Sequence, residues 1–327
     1  MDLKRVFILY SERSGSNLLR VLLGNHPNLS APVSPQFFDS FTPHIEKFGD
    51  LRKRENSISL ISKLITYANH PFSDWNLGAS TEDIYSEFAP QNFIETVDAL
   101  YATKAREDKK AGYVCKERHL FNYSGLVMAS LSGIDWLFLH RDPRDVVSSW
   151  LKNNILYFTA YEAAQSWKED QKKCFALHRA YNLSYHQLSY KELITDTEQT
   201  LTSLLEYLDL NVYEQCFQNE QNNEEANRNV LWKNLNKPID SSNKKNYVDI
   251  LSQKQTLIIE SVCKQQMEAL DYQLETDAQW SPAIGKNNYQ YFNKVKELLK
   301  QKIRSNKKTS DLLRDRQKLK RELISSL

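Results

Sequence analysis

Two short segments of the chain combine arginine, hydroxyl side chains and a helix start in a way that suits binding of a phosphate or sulfate group. The first, residues 11–17, reads Ser-Glu-Arg-Ser-Gly-Ser-Asn. A turn of small residues ahead of a helix leaves several backbone N–H groups aimed at one place, where the helix dipole also favours negative charge. Glycine lets the backbone approach an anion closely, and the flanking side chains can donate hydrogen bonds. The candidate anion-binding residues of this segment are Arg13, Ser14, Gly15, Ser16 and Asn17.

The second segment, residues 140–149, reads His-Arg-Asp-Pro-Arg-Asp-Val-Val-Ser-Ser. Asp142 is a good N-cap, and the proline directly after it suits the first position of a helix. Ser149 then lies two helical turns beyond Asp142 and returns to about the same face, so Arg141 and Ser149 could grip one anion together. A purely structural alternative is that Arg141 or Arg144 pairs with a neighbouring aspartate.

Alternating strand and helix patterns indicate the elements that must position these segments. Residues 6–10 and 134–139 are continuous apolar runs typical of parallel strands buried on both faces, and residues 183–190 form a third strand-like segment. Residues 37–130 are predicted to be mostly helical. Each strand leads into a helical pattern, so the sequence predicts an α/β fold with a mainly parallel central sheet flanked by helices.

Known nucleotide-binding motifs narrow the choice of ligand. The sequence lacks the GxxxxGK[ST] and GxGxxG patterns. Two anion-suited segments after neighbouring strands instead fit a nucleotide phosphorylated at both ends, and the chain resembles the sulfotransferases that use 3′-phosphoadenosine 5′-phosphosulfate (PAPS). Residues 13–19 resemble the family motif RSGTTLL, and residues 141–149 resemble RDPRDVxxS. Further family-like blocks occur at residues 22–29, 190–198 and 236–245.

The resemblance implies a P-loop-like sulfotransferase architecture that takes PAPS as its co-substrate and needs no metal. It implies that residues 13–17 hold the 5′-phosphosulfate, whereas Arg141 and Ser149 hold the 3′-phosphate. Tyr190 is implied to contact the adenine, and Lys245 to belong to the loop that closes over the nucleotide.

The resemblance also implies which side chains take part in catalysis. Sulfuryl transfer moves SO3 from a phosphate leaving group to an acceptor, so the site must neutralise the negative charge that grows on the departing phosphate. Arg13 and Lys116 are the implied catalytic residues. The predicted function is transfer of a sulfuryl group from PAPS to a hydroxyl or amine of an unknown small-molecule, glycan or lipid acceptor.

One position departs from the family pattern where related sequences carry a glutamate that can accept the acceptor's proton. Ser34 occupies that position. Either the base comes from elsewhere in the chain, or the acceptor needs little help, or catalysis is weak. The last reading gives the alternative function, a catalytically weak nucleotide-binding protein derived from the sulfotransferase fold. The candidate bases are Asp39, His44, Glu117 and His119.

Charge divides the chain into two predicted parts. The 327 residues carry 43 basic and 41 acidic side chains, and this net charge of +2 argues against nucleic-acid binding. Residues 286–327 hold 13 of the basic and only four of the acidic residues. We therefore predict a sulfotransferase domain over residues 1–285 and a basic, solvated helical tail over residues 286–327.

Composition also predicts where the protein resides. No apolar stretch approaches the roughly 20 residues that a membrane-spanning helix needs, and the first residues lack the pattern of a secretory signal. The four cysteines are widely spaced, which argues against both a disulfide scaffold and a zinc site. The sequence thus predicts a cytoplasmic protein without a membrane span, and its oligomeric state is left open.

Overall fold

A five-stranded parallel sheet forms the centre of the computed structural model, which describes residues 3–153, 159–219, 235, 237–241, 246–276 and 307–326. The strand order is β2-β3-β1-β4-β5, and every neighbouring pair is parallel. The strands are β1 (Lys4–Tyr10), β2 (Leu29–Ser30), β3 (Gly112–Cys115), β4 (Ile134–His140) and β5 (Tyr185–Ser189). The predicted α/β class with a parallel central sheet is confirmed.

Helices cover both faces of this sheet. The first six α-helices are α1 (Ser16–Gly24), α2 (Phe37–Phe41), α3 (Arg54–Ala68), α4 (Thr81–Phe88), α5 (Phe93–Glu107) and α6 (Ser124–Ser130). The next six are α7 (Pro143–Asn153), α8 (Ala160–Tyr181), α9 (Tyr190–Thr195), α10 (Thr197–Tyr207), α11 (Gln253–Ala269) and α12 (Lys307–Ser325). Short 3-10 helices span Thr42–Phe48, Leu120–Asn122, Glu214–Phe217 and Asn246–Asp249.

The apolar run of β1 is buried on both faces, as its composition predicts. Val6 and Ile8 pack into the cluster formed with α1, α9 and α10. Phe7 and Leu9 point to the other face, into a larger cluster that contains residues of α2, α3, α5 and α8. Because alternate side chains of a strand point to opposite faces, this one strand anchors both layers of helices and fixes the loop that follows it.

The sequence patterns missed two of the five strands. Residues 37–130 were predicted to be mostly helical, and that is wrong for β3, which pairs with β1 on one side and with β2 on the other. Both strands are short, and a short apolar segment carries no periodicity that separates strand from helix. The consequence is functional, since Lys116 directly follows β3.

The described part of the predicted tail packs against the domain. Helix α12 is amphipathic, and Leu319, Leu323 and Ile324 contact the large core cluster. Arg316 on the same helix is only 4% exposed. The expectation of a solvated helix is therefore wrong for the face that carries Arg316, Leu319, Leu323 and Ile324. The division of the chain into residues 1–285 and 286–327 stays a prediction. In the ranges that the structure describes, no helix is long and apolar enough to cross a membrane.

Candidate active site

The loops that follow β1 and β4 lie side by side at the carboxyl edge of the sheet, because these strands are parallel neighbours. Arg13 Nε donates a hydrogen bond to Ser149 Oγ at 3.0 Å. Arg141 Nη1 donates to the carbonyl oxygen of Arg13 at 3.2 Å. The structure thus brings the two anion-suited segments into direct contact, in the way that a ligand bridging both would require.

The ring of Tyr190 packs against both loops. Gly15 has a φ of +90°, and a Cβ added there would lie 2.2 Å from Cδ2 of Tyr190. The guanidinium of Arg141 lies 4.1 Å from the centroid of the same ring. Only glycine offers both this left-handed backbone and the missing side chain, so Gly15 is required at the turn. Tyr190 opens α9 directly after β5, which places it at the same sheet edge.

The two arginines of the second segment have different surroundings. Arg144 donates to both carboxylate oxygens of Asp142 and to Glu260 Oε1, and its guanidinium lies 4.8 Å from the Tyr247 ring centroid. Hydrogen bonds and charges of these carboxylates outweigh burial and hold the pKa of Arg144 above its usual range. The structural alternative therefore applies fully to Arg144. It applies in part to Arg141, whose Nε lies 3.9 Å from Asp145 Oδ2 while its Nη1 donates to the first loop.

Two buried donors of the site make no hydrogen bond among the described residues. Ser14 Oγ and Arg141 Nε are buried without a hydrogen bond there, and no side chain caps the start of α1. Burial, and then the nearby charge of Arg141, lowers the pKa of Arg13. An unsatisfied buried donor costs roughly 1–3 kcal/mol, so such a cluster favours an incoming anion. These residues fit the phosphate groups of PAPS.

Lys116 joins the site from the third strand of the sheet edge. Its Nζ donates to Asn17 Oδ1 at 2.7 Å and lies 5.1 Å from the centroid of the Tyr10 ring. Asn17 belongs to the first turn of α1, the helix that begins directly after Gly15. Of the implied catalytic pair, Arg13 thus lies within this loop and Lys116 contacts Asn17 at its end.

A buried carboxyl group lies directly after Lys116. Glu117 Oε1 accepts hydrogen bonds from Ser34 Oγ at 3.0 Å and from Tyr101 OH at 3.1 Å. Its other oxygen, Oε2, is buried and has no hydrogen-bond partner of ordinary geometry in the described ranges. Burial raises the pKa of Glu117 to about 7, although the hydrogen bonds from Ser34 and Tyr101 oppose that shift. Ser34, which replaces the glutamate of the family pattern, thus donates a hydrogen bond to Glu117, one of the four candidate bases.

Two further candidate bases form a dyad beside this carboxyl. Asp39 Oδ2 lies 3.1 Å from His119 Nδ1 and accepts a hydrogen bond from Arg118 Nε at 2.7 Å. Burial opposes both charges, but the contact with His119 lowers the pKa of Asp39, and Asp39 raises the pKa of His119. The fourth candidate, His44, lies on the 3-10 helix after α2, and no hydrogen bond or ion pair joins it to this cluster within the described residues.

The C-terminal helix covers this side of the site. Arg316 donates to the carbonyl oxygen of Pro35 and, at 3.2 Å, to Gln36 Oε1. Its guanidinium lies 3.9 Å from the Phe72 ring centroid and 4.7 Å from that of Tyr67. Neutral groups thus hold Arg316 against Pro35 and Gln36, the two residues that follow Ser34.

Sequence reasoning missed Arg316 and also Asp170, whose Oδ2 accepts a hydrogen bond from Ser11 Oγ at 2.6 Å. Burial raises the pKa of Asp170 to about 6. Neither residue belongs to a motif, so only the folded chain reveals them. Lys245, implied to close over the nucleotide, lies outside the described residues. Among the described side chains, no three of His, Cys, Asp or Glu cluster as they would around a metal ion.

Comparison with known proteins agrees with this geometry. A family model described as "Sulfotransferase family" matches residues 5–215, which include both strand-end loops and Lys116. The chain belongs to the sulfotransferase family. No curated protein sequence matches it.

Two solved structures are similar to this sulfotransferase in fold. The sulfotransferase domain of the Synechococcus PCC 7002 olefin synthase is 20% identical, with a TM-score of 0.58 over 84% of this chain and 97% of that chain. The sulfotransferase domain from the curacin biosynthetic pathway is 19% identical, with a TM-score of 0.56 over 84% of this chain and 100% of that chain. At these identities the likeness concerns the fold alone.

Proposed function

We propose that this sulfotransferase takes PAPS as its donor and transfers the sulfuryl group to a hydroxyl or amine of a small-molecule, glycan or lipid acceptor. The observation that carries the proposal is the contact between the two strand-end loops, with Arg13 Nε 3.0 Å from Ser149 Oγ and Arg141 on the Arg13 carbonyl. One nucleotide with phosphate groups at both ends can reach both loops only when they adjoin.

Each end of the donor has a matching set of donors. The turn around Gly15 and the uncapped start of α1 would hold the 5′-phosphosulfate through backbone N–H groups and the Ser14 hydroxyl. Arg141 and Ser149 would hold the 3′-phosphate, since a guanidinium and a hydroxyl both donate to phosphate oxygens. The Tyr190 ring adjoins both loops, and this position supports its contact with the adenine.

The chemical step would use positive charge at the leaving phosphate. When bound, PAPS supplies an activated sulfuryl group, and the protein must stabilise the phosphate charge that develops as this group leaves. Arg13 belongs to this loop, Lys116 reaches Asn17 at its end, and the two would share that task. Because both are already positioned by Ser149 and Asn17, little reorganisation is needed at the moment of transfer.

Nucleotide binding tests the donor assignment first. We expect 3′-phosphoadenosine 5′-phosphate (PAP) to raise the melting temperature and ATP to have little effect, because a ligand that binds only the folded state stabilises it. Arg141→Ala and Ser149→Ala should weaken PAP far more than 5′-AMP, which lacks the 3′-phosphate. Lys152→Ala, at an exposed residue of the helix that carries Ser149, serves as the control. Equal losses for PAP and 5′-AMP would remove the 3′-phosphate role.

Turnover tests the enzyme assignment second. The protein is incubated with PAPS carrying a radiolabelled sulfuryl group and with a fractionated mixture of hydroxyl and amine acceptors. Label in an organic product supports the transferase, and Arg13→Ala should lower its rate of formation more than it lowers donor affinity. Tight PAP binding without any labelled product would support the alternative, a catalytically weak nucleotide-binding protein. A cytoplasmic location also stays a prediction.

A further inference from the structure

The carboxyl group of Glu117 has an unusual combination of burial and incomplete hydrogen bonding. Its side chain is fully buried, two hydroxyl groups donate to Oε1, and Oε2 has no partner of ordinary geometry in the described part of the chain. The backbone N–H of Phe38 lies close enough to lower the pKa of Glu117 slightly. A carboxylate can accept about four hydrogen bonds, so this group keeps capacity for one more donor.

Glu117 lies next to the donor side of the site. It directly follows Lys116, and neighbouring Cα atoms are about 3.8 Å apart. Lys116 in turn reaches Asn17 at the start of α1 and lies over the Tyr10 ring. The charge of Glu117 also contributes to the raised pKa of Tyr10. The carboxyl therefore belongs to the residue after the implied catalytic lysine and is close enough to Tyr10, the last residue of β1, for its charge to act on that hydroxyl.

The environment of the Glu117 carboxyl raises its pKa but still allows it to ionise near neutral pH. Burial is the largest cause of its pKa of about 7, and the charge of Asp39 adds to the increase. A group that is half ionised near pH 7 can both take up and release a proton there, which is what general-base catalysis needs. The titratable and charged groups that interact with it are Tyr10, Asp39, Tyr67, Tyr101, Cys115, Tyr123 and Arg316.

We propose, on the basis of the proposed function, that Glu117 accepts the proton of the acceptor and that Ser34 positions its carboxylate. As the acceptor oxygen or nitrogen bonds to sulfur, the bond from sulfur to the bridging phosphate oxygen breaks, and its electron pair stays on that oxygen. The acceptor proton moves to Glu117 Oε2. The products are the sulfated acceptor, PAP and a protonated Glu117 that later loses its proton to water.

The competing dyad is less suited to this task. Asp39 is engaged by Arg118, His119 and Tyr123, and its lowered pKa makes it a weak base. His119 Nδ1 contacts Asp39, which also pairs with Arg118. His119 therefore belongs to a three-residue ion-pair cluster. Glu117 is covered by the stretch from Ser34 to Gln36, so the acceptor must displace part of this cover to reach it.

Donor affinity tests the position of Glu117 without any acceptor. At pH 8 its negative charge should repel the sulfuryl oxygens of PAPS, which PAP lacks. Glu117→Gln, which retains an oxygen for Ser34 and Tyr101, should therefore tighten PAPS relative to PAP by about threefold to tenfold. The effect should vanish at pH 5.5, where Glu117 is protonated. Glu107→Gln, at an exposed glutamate at the end of α5, is the matched control and should leave the ratio unchanged.

Unchanged relative affinities in Glu117→Gln at pH 8 would overturn the position assigned to Glu117. Failure of PAPS and PAP to bind the wild-type protein would instead overturn the proposed function, so the two failures are distinguishable. The two variants need only be folded for this measurement, which their melting curves establish.

The pH profile of turnover tests the proton transfer itself. With an acceptor from the screen above, the wild-type rate should rise with pH around a value near 7, and Glu117→Gln should lose about 100-fold or more of the rate together with that dependence. Ser34→Ala should lower the rate less and shift the profile upward, because a hydrogen bond to the charged form is lost. A His119→Gln variant that loses the pH dependence while Glu117→Gln keeps it would assign the proton to His119 and refute the proposal.

Discussion

The donor side and the acceptor side of the site are assembled in different ways. On the donor side, residues 11–17 and 140–149 each form one continuous loop and helix start after a neighbouring parallel strand. On the acceptor side, Ser34, Asp39, Glu117 and Arg316 come from three distant parts of the chain. The donor side is thus built from local backbone geometry, and the acceptor side from tertiary packing.

This difference determines how narrowly the chemistry restricts the residue types on each side. A loop that binds phosphate through its backbone depends on one glycine, one helix start and one arginine, so its residue types are narrowly restricted. A proton acceptor needs only a carboxylate or imidazole within reach of the acceptor, from whichever element supplies it. Under the proposed assignment, Glu117 would supply the carboxylate that the residue at position 34 cannot, and Ser34 donates a hydrogen bond to it.

The largest expected effect separates structural from ligand-binding arginines within the donor side. Arg144→Ala removes the partner of Asp142 and of the fully buried Glu260, and breaking such a buried pair costs about 3–5 kcal/mol of unfolding free energy. Arg141→Ala should cost less, about 1–2 kcal/mol, because its described contacts are a hydrogen bond to the Arg13 carbonyl, the Tyr190 ring and a long ion pair with Asp145 at 3.9 Å. Urea unfolding curves of both variants check this. Similar losses in the two would mean that the donor side is not divided in this way.

The second prediction concerns the turn itself. Gly15→Ala places a methyl group 2.2 Å from the Tyr190 ring at a φ of +90°, so we expect the loop to shift and PAP affinity to fall about tenfold or more. Gly133→Ala is a matched control, because its φ is +65° but no atom lies within 4 Å of the added Cβ. Isothermal titration with PAP measures the difference. Retention of wild-type affinity in Gly15→Ala would show that the loop geometry does not govern donor binding.

Most of the donor side was predictable from sequence for the same reason that it is local. The strands around residues 6–10 and 134–139 and the helix start at Pro143 follow from patterns within about ten residues. The contact of Arg141 with the first loop needs in addition that β1 and β4 are neighbours in the sheet. The acceptor side was not predictable in this way. Glu117 was one of four candidate bases, and nothing in its neighbours indicates that Ser34 and Tyr101 would reach it.

Strand β3 and helix α12 show the physical origin of what the sequence did not reveal. Four residues of β3 are too few for a period to show, and their strand state is set by pairing with β1. Arg316 lies among many lysines and arginines that point to solvent, and its burial depends on the aromatic rings of α3 and the loop after it. Tertiary context overrides local pattern in both cases.

The third prediction tests whether the acceptor side sacrifices stability for function. Glu117 has a folded-state pKa of about 7 against a usual 4.5, so its contribution to stability is greatest below pH 4.5 and is lost as the pH rises through 7. Glu117→Gln should therefore raise the unfolding free energy by roughly 3 kcal/mol at pH 8 and by little at pH 4.5. Chemical denaturation at the two pH values measures this. A variant less stable than wild type at pH 8 would indicate a purely structural carboxyl.

The smallest expected effect concerns the cover that the C-terminal helix provides. Arg316→Ala removes two hydrogen bonds to Pro35 and Gln36 and the contacts with two aromatic rings, so α12 should exchange its amide hydrogens faster, by about tenfold. Arg314→Ala, on the same helix with its side chain 67% exposed, should leave the exchange rates unchanged.

PAP affinity decides whether this helix belongs to the acceptor side alone. Arg316 contacts the stretch after Ser34 and none of the described donor-side residues, so Arg316→Ala should change the Kd for PAP by less than about twofold. Faster exchange in α12 together with unchanged PAP binding would sharpen the separation of the two sides. A parallel loss of PAP affinity would instead show that packing of the C-terminal helix reaches the strand-end loops, and that the two sides are coupled through the segment between Ser34 and Asp39.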